Sequence, residues 1–144
     1  MNNDILQTII NEIKAELEIY SFTTAGKSLL KNREILISAE FQENPKSFPY
    51  ITVTQTENSY KDSTTEKNET ETNLSYEISV YDNSTNKINV TKTLIELINS
   101  KMVVYGFRRT FSAAIPNIAN AQVYREILRY SGSYNSEINK INKF

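Results

Sequence analysis

Phe48-Pro49-Tyr50-Ile51-Thr52-Val53-Thr54-Gln55-Thr56 and Leu74-Ser75-Tyr76-Glu77-Ile78-Ser79-Val80-Tyr81 are the two stretches whose reading decides the fold. Both are dense in β-branched and aromatic residues, which suit a pleated, half-buried surface. In the first, Ile51 and Val53 alternate with Thr52, Thr54 and Thr56; in the second, Leu74, Tyr76, Ile78 and Val80 alternate with Ser75, Glu77 and Ser79. Such alternation predicts antiparallel strands with one buried face. Pro49 is tolerable at a strand start, where its missing N–H costs no ladder bond. Between the strands, Glu57 to Asn73 has no apolar residue except Tyr60 and is rich in Thr, Asn, Ser, Glu and Lys. We expect a hairpin whose connection at about 57–73 is far longer than usual, either a flexible solvated loop or a projecting contact arm, and we favour the arm.

Outward from this hairpin, Ile5, Ile9, Ile10, Ile13 and Leu17 form one helical stripe with Leu6 beside it, and Asn3 or Asp4 is expected to cap the start. That helix should fade near Tyr20. Glu34 to Ala39 reads as a short strand, and Glu43-Asn44-Pro45-Lys46 as a break. After the turn Asp82-Asn83-Ser84-Thr85, a second helix buries Ile88, Thr91, Leu94, Ile95, Ile98 and Met102, and Gly106 is placed to end it in a left-handed conformation. Phe107 to Ile115 alternates again, with Phe107, Phe111, Ala113 and Ile115 on one face. Pro116-Asn117 closes that strand, and Gln122 to Tyr134 reads as the last one, apolar on both faces. Glu137 to Phe144 is expected to be a helical turn or frayed. The sum is one domain over residues 1–144. It is an α+β fold, an antiparallel sheet of about four strands with two main helices on one face and the other face open.

Composition narrows function by removal. A net charge of −1 argues against a globally basic nucleic-acid binder. The chain has no cysteine and no histidine. It therefore lacks a thiolate site, a cysteine nucleophile, the commonest general base and the usual metal ligand. We expect no cofactor, no metal and no enzymatic activity. Gly26-Lys27-Ser28 has the end of a phosphate-binding loop, but the required earlier glycine is Ser21, so an ordinary turn is the better reading. A magnesium-dependent nuclease is the enzyme alternative, because carboxylates alone hold that ion. Its aspartates would be Asp4, Asp62 and Asp82, and no two share a strand face at useful spacing. No apolar run approaches the roughly 20 residues of a membrane span, and Met1-Asn2-Asn3-Asp4 lacks the positive start of a secretory signal. We expect synthesis in the cytosol and no membrane partner.

The order of elements resembles the tail terminator proteins of tailed bacteriophages, the lambda-type family also found in contractile tails and tail-like particles. Phe48-Pro49-Tyr50-Ile51-Thr52-Val53 followed by Glu57-Asn58 is similar to the family's proline-led strand before its long loop. Tyr76 to Tyr81 matches the returning strand, Lys101 to Arg109 the helix end that runs through Tyr105-Gly106-Phe107 into a strand, and Val123 to Tyr130 the close. The likeness covers roughly residues 48–134, is one of element order, and leaves Tyr20 to Pro45 unmatched.

The resemblance implies a structural virion protein, assembled in the host cytoplasm, that forms a ring of typically six copies on the head-proximal end of the tail tube. It would stop polymerisation and join tail to neck. Its partners would be further copies of itself, the tail tube protein and the neck or connector proteins. In a contractile tail the sheath protein joins them, with DNA only as passing cargo. A head-completion or neck adaptor ring is the structural alternative. The candidate interface residues are Glu57, Asn58, Tyr60, Lys61, Lys67 and Glu69 of the arm, with Arg108, Arg109, Arg125 and Arg129 on the last strands. The arm's mixed signs suit setting register at a subunit interface better than binding a polyanion. Tyr60 suits an amphipathic anchor. For any one arginine, a solvated position paired locally with Glu126 is the plainer reading.

Overall fold

A computed structural model describes residues 2–31, 33–39, 48–60, 71–115, 122–135 and 140–142, with the backbone alone for 2–5, 57–60, 71–72, 133–135 and 140–142. The fold is α+β, as expected, with three helices packed on a sheet among the described residues. The helices are α1 (Asn2–Ser21), α2 (Thr24–Leu30) and α3 (Lys87–Val104). The strands are β1 (Leu36–Ser38), β2 (Tyr50–Tyr60), β3 (Glu71–Asp82), β4 (Arg108–Ala114), β5 (Tyr124–Asn135) and β6 (Lys140–Asn142). They run in the order β1-β2-β3-β5-β4, with β6 also on β5. The sheet is mixed rather than wholly antiparallel, because β1 pairs parallel to β2. The expected strand at Glu34 to Ala39 shortens to β1, whose Leu36 N–H donates to the Pro49 carbonyl at 3.0 Å. The tail, expected to be helical or frayed, supplies β6, with Ile141 opposite Tyr134.

The clean alternation of β3 has the expected cause. Leu74, Tyr76, Ile78 and Val80 are all fully buried, beside Ile51 and Val53 of β2 and Leu128 and Tyr130 of β5. Against them pack Ile9, Ile10, Ile13 and Leu17 of α1 and Leu94, Ile98 and Met102 of α3. Asn3 and Asp4 fall within the first turn of α1 rather than ahead of it. In α3, Val90 is buried and Ile88 is half exposed, the reverse of expectation for Ile88, which falls at the rim of the stripe on the first turn. Lys101 Nζ lies 3.7 Å from Glu16 Oε1, tying the end of α3 to α1.

Gly106 ends α3 as predicted, with φ 93°. Its N–H donates to Val103 O at 2.9 Å and that of Phe107 to Met102 O at 3.0 Å, which satisfies two carbonyls the helix leaves free. Phe107 then turns into the core, edge-on to Tyr76 with ring centroids 5.6 Å apart. Gly132 makes room for it, since a Cβ there would lie 2.7 Å from Phe107 Cδ1.

Gly26-Lys27-Ser28 is not a turn but the middle of α2. Thr23 caps that helix, its Oγ1 accepting from Gly26 N at 3.0 Å. A Cβ at Gly26 would sit 2.0 Å from the Tyr20 carbonyl oxygen, so the glycine serves the close packing of α2 on the end of α1.

Two bulges reset the alternation read from sequence. One lies at Thr56, between Gln55 and Glu57, so Thr56 is the extra residue rather than a continuation of Thr52 and Thr54. The other lies at Thr110, between Arg109 and Phe111. Phe107 and Phe111 therefore occupy opposite faces of the sheet, where simple alternation put them together.

Candidate functional site

The predicted arm is shorter than its polar sequence suggested. The β2–β3 ladder continues through Glu57↔Ser75, Asn58↔Leu74, Ser59↔Asn73 and Tyr60↔Thr72. On its other side β3 stays paired to β5 as far as Glu71↔Asn135. Beside those rows β6 pairs with β5 at Ser133↔Asn142 and Tyr134↔Ile141, so the root of the arm is four strands wide, and residues 57–60 and 71–73 belong to the sheet. Lys61, Lys67 and Glu69 lie outside the described residues, as do Glu66 and Asp62.

The face away from the helices is not uniformly open. At the end remote from the arm, Tyr50, Thr52, Ser79 and Tyr81 are buried with no helix above them among the described residues. Tyr50 and Tyr81 meet edge to face at 6.3 Å, with Val123, Leu36 and Phe48 packed around them. Arg125 covers Tyr81, its guanidinium 5.3 Å from the ring centroid and Nη2 3.4 Å from Ser79 Oγ. Burial pushes the Tyr81 hydroxyl up, while Arg125 and Ser79 act in the opposite direction. Arg125 is thus a packing residue of the covered end.

At the arm end the same face opens. Register sets Thr54, Glu77, Arg129 and Phe111 side by side across four strands, and Glu57, Ser75, Ser131 and Arg108 in the next row. Glu57 and Arg108 therefore share one row, about 14 Å apart at three strand spacings. Arg129 Nε donates to Glu77 Oε1 at 3.1 Å, and its guanidinium lies 4.9 Å from the Phe111 ring centroid. The arginine's partner is Glu77, not Glu126, because Glu126 points to the helix face.

Arg109 separates from the other arginines. The register places it opposite Tyr130, on the helix side, where it lines a cleft of about 540 Å³ between α3 and β4 with Lys92, Glu96, Asn99, Ser112 and Glu126. Glu126 is buried there, accepting from Tyr124 Oη at 2.8 Å and Lys92 Nζ at 3.3 Å. Burial, then the bond and charge of Glu126, push the Tyr124 hydroxyl up to about 12.

The sequence reading also missed a buried ion pair. Arg33 Nη1 lies 2.7 Å from Oδ1 of Asp82, a fully buried carboxylate at the end of β3. Ser84 Oγ donates to its other oxygen, and Asn86 Nδ2 reaches the Leu29 carbonyl at 3.3 Å. The cluster locks α2, β3 and the start of α3 together, and the run of turn residues from Asp82 was its one trace in the sequence. Among the described residues no three acidic side chains gather as metal ligands would, and no helix is long and apolar enough to cross a membrane. No family model and no curated protein matches the chain.

Proposed function

We propose that this chain is a tail terminator, a structural subunit whose ring seats on the head-proximal end of a phage tail tube and stops its growth. The observation that carries the reading is the coincidence of two features at one end of the sheet. The four-stranded arm root, the open row bearing Glu77, Arg129 and Phe111, and the next row bearing Glu57 and Arg108 form one continuous surface. Its charges are of both signs and include a partly exposed ring, the composition of a protein interface rather than of a polyanion site. The helix face, by contrast, is spent on the core and offers the arm a rigid base.

Removal of the protein from the particles that carry it tests the reading. Terminator function predicts over-long tubes, or tails detached from heads, with tube subunits still competent to polymerise. Tails of normal length that stay attached contradict it. Heads that fail to close, with tubes of normal length, identify a neck adaptor instead.

A further inference from the structure

We propose that copies of this chain join head to tail through their sheet edges, the outer edge of β4 on one copy pairing antiparallel with the outer edge of β1 on the next. The closure of such a series into a ring rests on the terminator reading; the interface itself does not. Among the described residues, β1 and β4 are the two ends of the sheet path, and no described strand pairs with the outer side of either. Strand polarity makes them fit. β1 and β2 run one way, β3 the other, β5 with β2, and β4 against it. A neighbour related by rotation about an axis along the strands keeps those directions, so its β1 arrives antiparallel to β4.

The side chains agree with the polarity. Free edges are ordinarily guarded by charge or irregularity. Here Leu36-Ile37-Ser38 is uncharged, and so is Phe111-Ser112-Ala113-Ala114. The guards of β4, Arg108 and Arg109, stand on the far side of the Thr110 bulge. Beyond the bulge the register is regular from Phe111 to Ala114, as long as β1 requires. Facing sets the register, because a sheet that continues across the interface must keep helix-side residues together. Ile37 and Ser112 are on that side, opposite Ile51 and Leu128 respectively. Ile37 then pairs with Ser112, Leu36 with Ala113 and Ser38 with Phe111.

Each edge is also flanked by exposed apolar surface. Phe22, 75% exposed, lines with Ile35 and Ile37 a cleft of about 430 Å³ beside β1, and Phe111 on β4 is 40% exposed. The two flanks are unlike one another, so the contact is heterologous, repeats by one rotation and leaves no requirement for a twofold pair.

The absence of cysteine makes the test direct. The full chain carrying Ile37→Cys and Ser112→Cys is oxidised both when concentrated alone and in particles that carry it. Leu36→Cys with Ala113→Cys is a second pair on the opposite face, available if the first disturbs folding. The expected result is a ladder of disulfide-linked oligomers from the matched pairs. A mismatched pair, Ser38→Cys with Ser112→Cys, should give none. A symmetric ring imaged in the particles, with no ladder from either matched pair, overturns this interface and leaves the terminator reading standing. A ladder that forms open chains and no ring supports the interface and contradicts the terminator reading. Neither ladder nor ring overturns both.

Discussion

The helix-covered face of the sheet presents Ile51, Val53, Ile78, Val80 and Leu128, while the other presents Tyr50, Thr52, Ser79, Tyr81, Arg125 and Arg129. Both contain buried side chains, but they reach burial differently. The first is covered by two long helices and excludes water through aliphatic packing. Among the described residues the second is covered at one end, by tyrosine, proline-adjacent chain and a stacked arginine, and opens toward the arm. On the terminator reading, the difference separates stability from assembly. Substitutions on the first face should unfold the protein, and those on the open part of the second should leave it folded but unable to assemble.

The largest effect is expected at Leu94, fully buried between α3 and the sheet. Leu94→Ala should cost about 2–5 kcal/mol, read by denaturant unfolding. A loss below that range would mean the helix face is loosely packed and would blur the contrast. Next comes Arg33→Ala, which leaves the Asp82 carboxylate buried with Ser84 as its near partner. A cost of about 3 kcal/mol is expected, with α2 losing amide-exchange protection before the rest.

Alkaline pH should act on the helix face as well. Burial pushes the hydroxyls of Tyr76 and Tyr130 up to about 12 from the ordinary 10, against smaller lowering effects of Gln55 and Arg109 respectively. The unfolded chain releases these protons first. Their contribution is therefore whole below pH 10 and is lost as pH rises toward 12. Stability measured across that window should fall, and Tyr130→Phe should flatten the decline. The smallest effect on stability is expected at Arg129, whose side chain is 55% exposed where it meets Glu77. Arg129→Ala should change stability by about 0–1 kcal/mol while weakening assembly, a dissociation that a core position cannot show.

How much of this was written in the sequence follows the same division. Where regular periodicity decides, the sequence was legible: the α1 residues Ile9, Ile10, Ile13 and Leu17, the alternation of β3 and the glycine stop of α3 are where it put them, whereas Ile88 at the rim of α3 and Phe111 beyond a bulge are not. Where backbone pairing decides, the sequence said little. Residues 57–60 and 71–73 are marked as strand only by Tyr60 and Thr72 among polar neighbours, yet the adjoining strands extend the ladder through all of them. The bulges at Thr56 and Thr110 shift facing by one residue without a compositional sign. α2 was obscured because Gly26-Lys27-Ser28 reads as an ordinary turn, when the missing side chain of Gly26 is what lets two helices meet. The Glu77–Arg129 and Arg33–Asp82 pairs join residues 52 and 49 positions apart, which only the fold brings together.

The separation of stability from assembly is tested most directly at the arm. With Tyr60 opposite Thr72, a two-residue turn fits after the next pair, so Asp62–Thr70 can be replaced by Asn-Gly without disturbing the observed ladder. The shortened protein should keep its thermal midpoint and its core exchange protection, because closing a shorter loop changes little else. It should also fail to cap tails, leaving tubes over-long. A shortened protein that still caps tails at normal length would contradict the assembly role given to this end of the sheet.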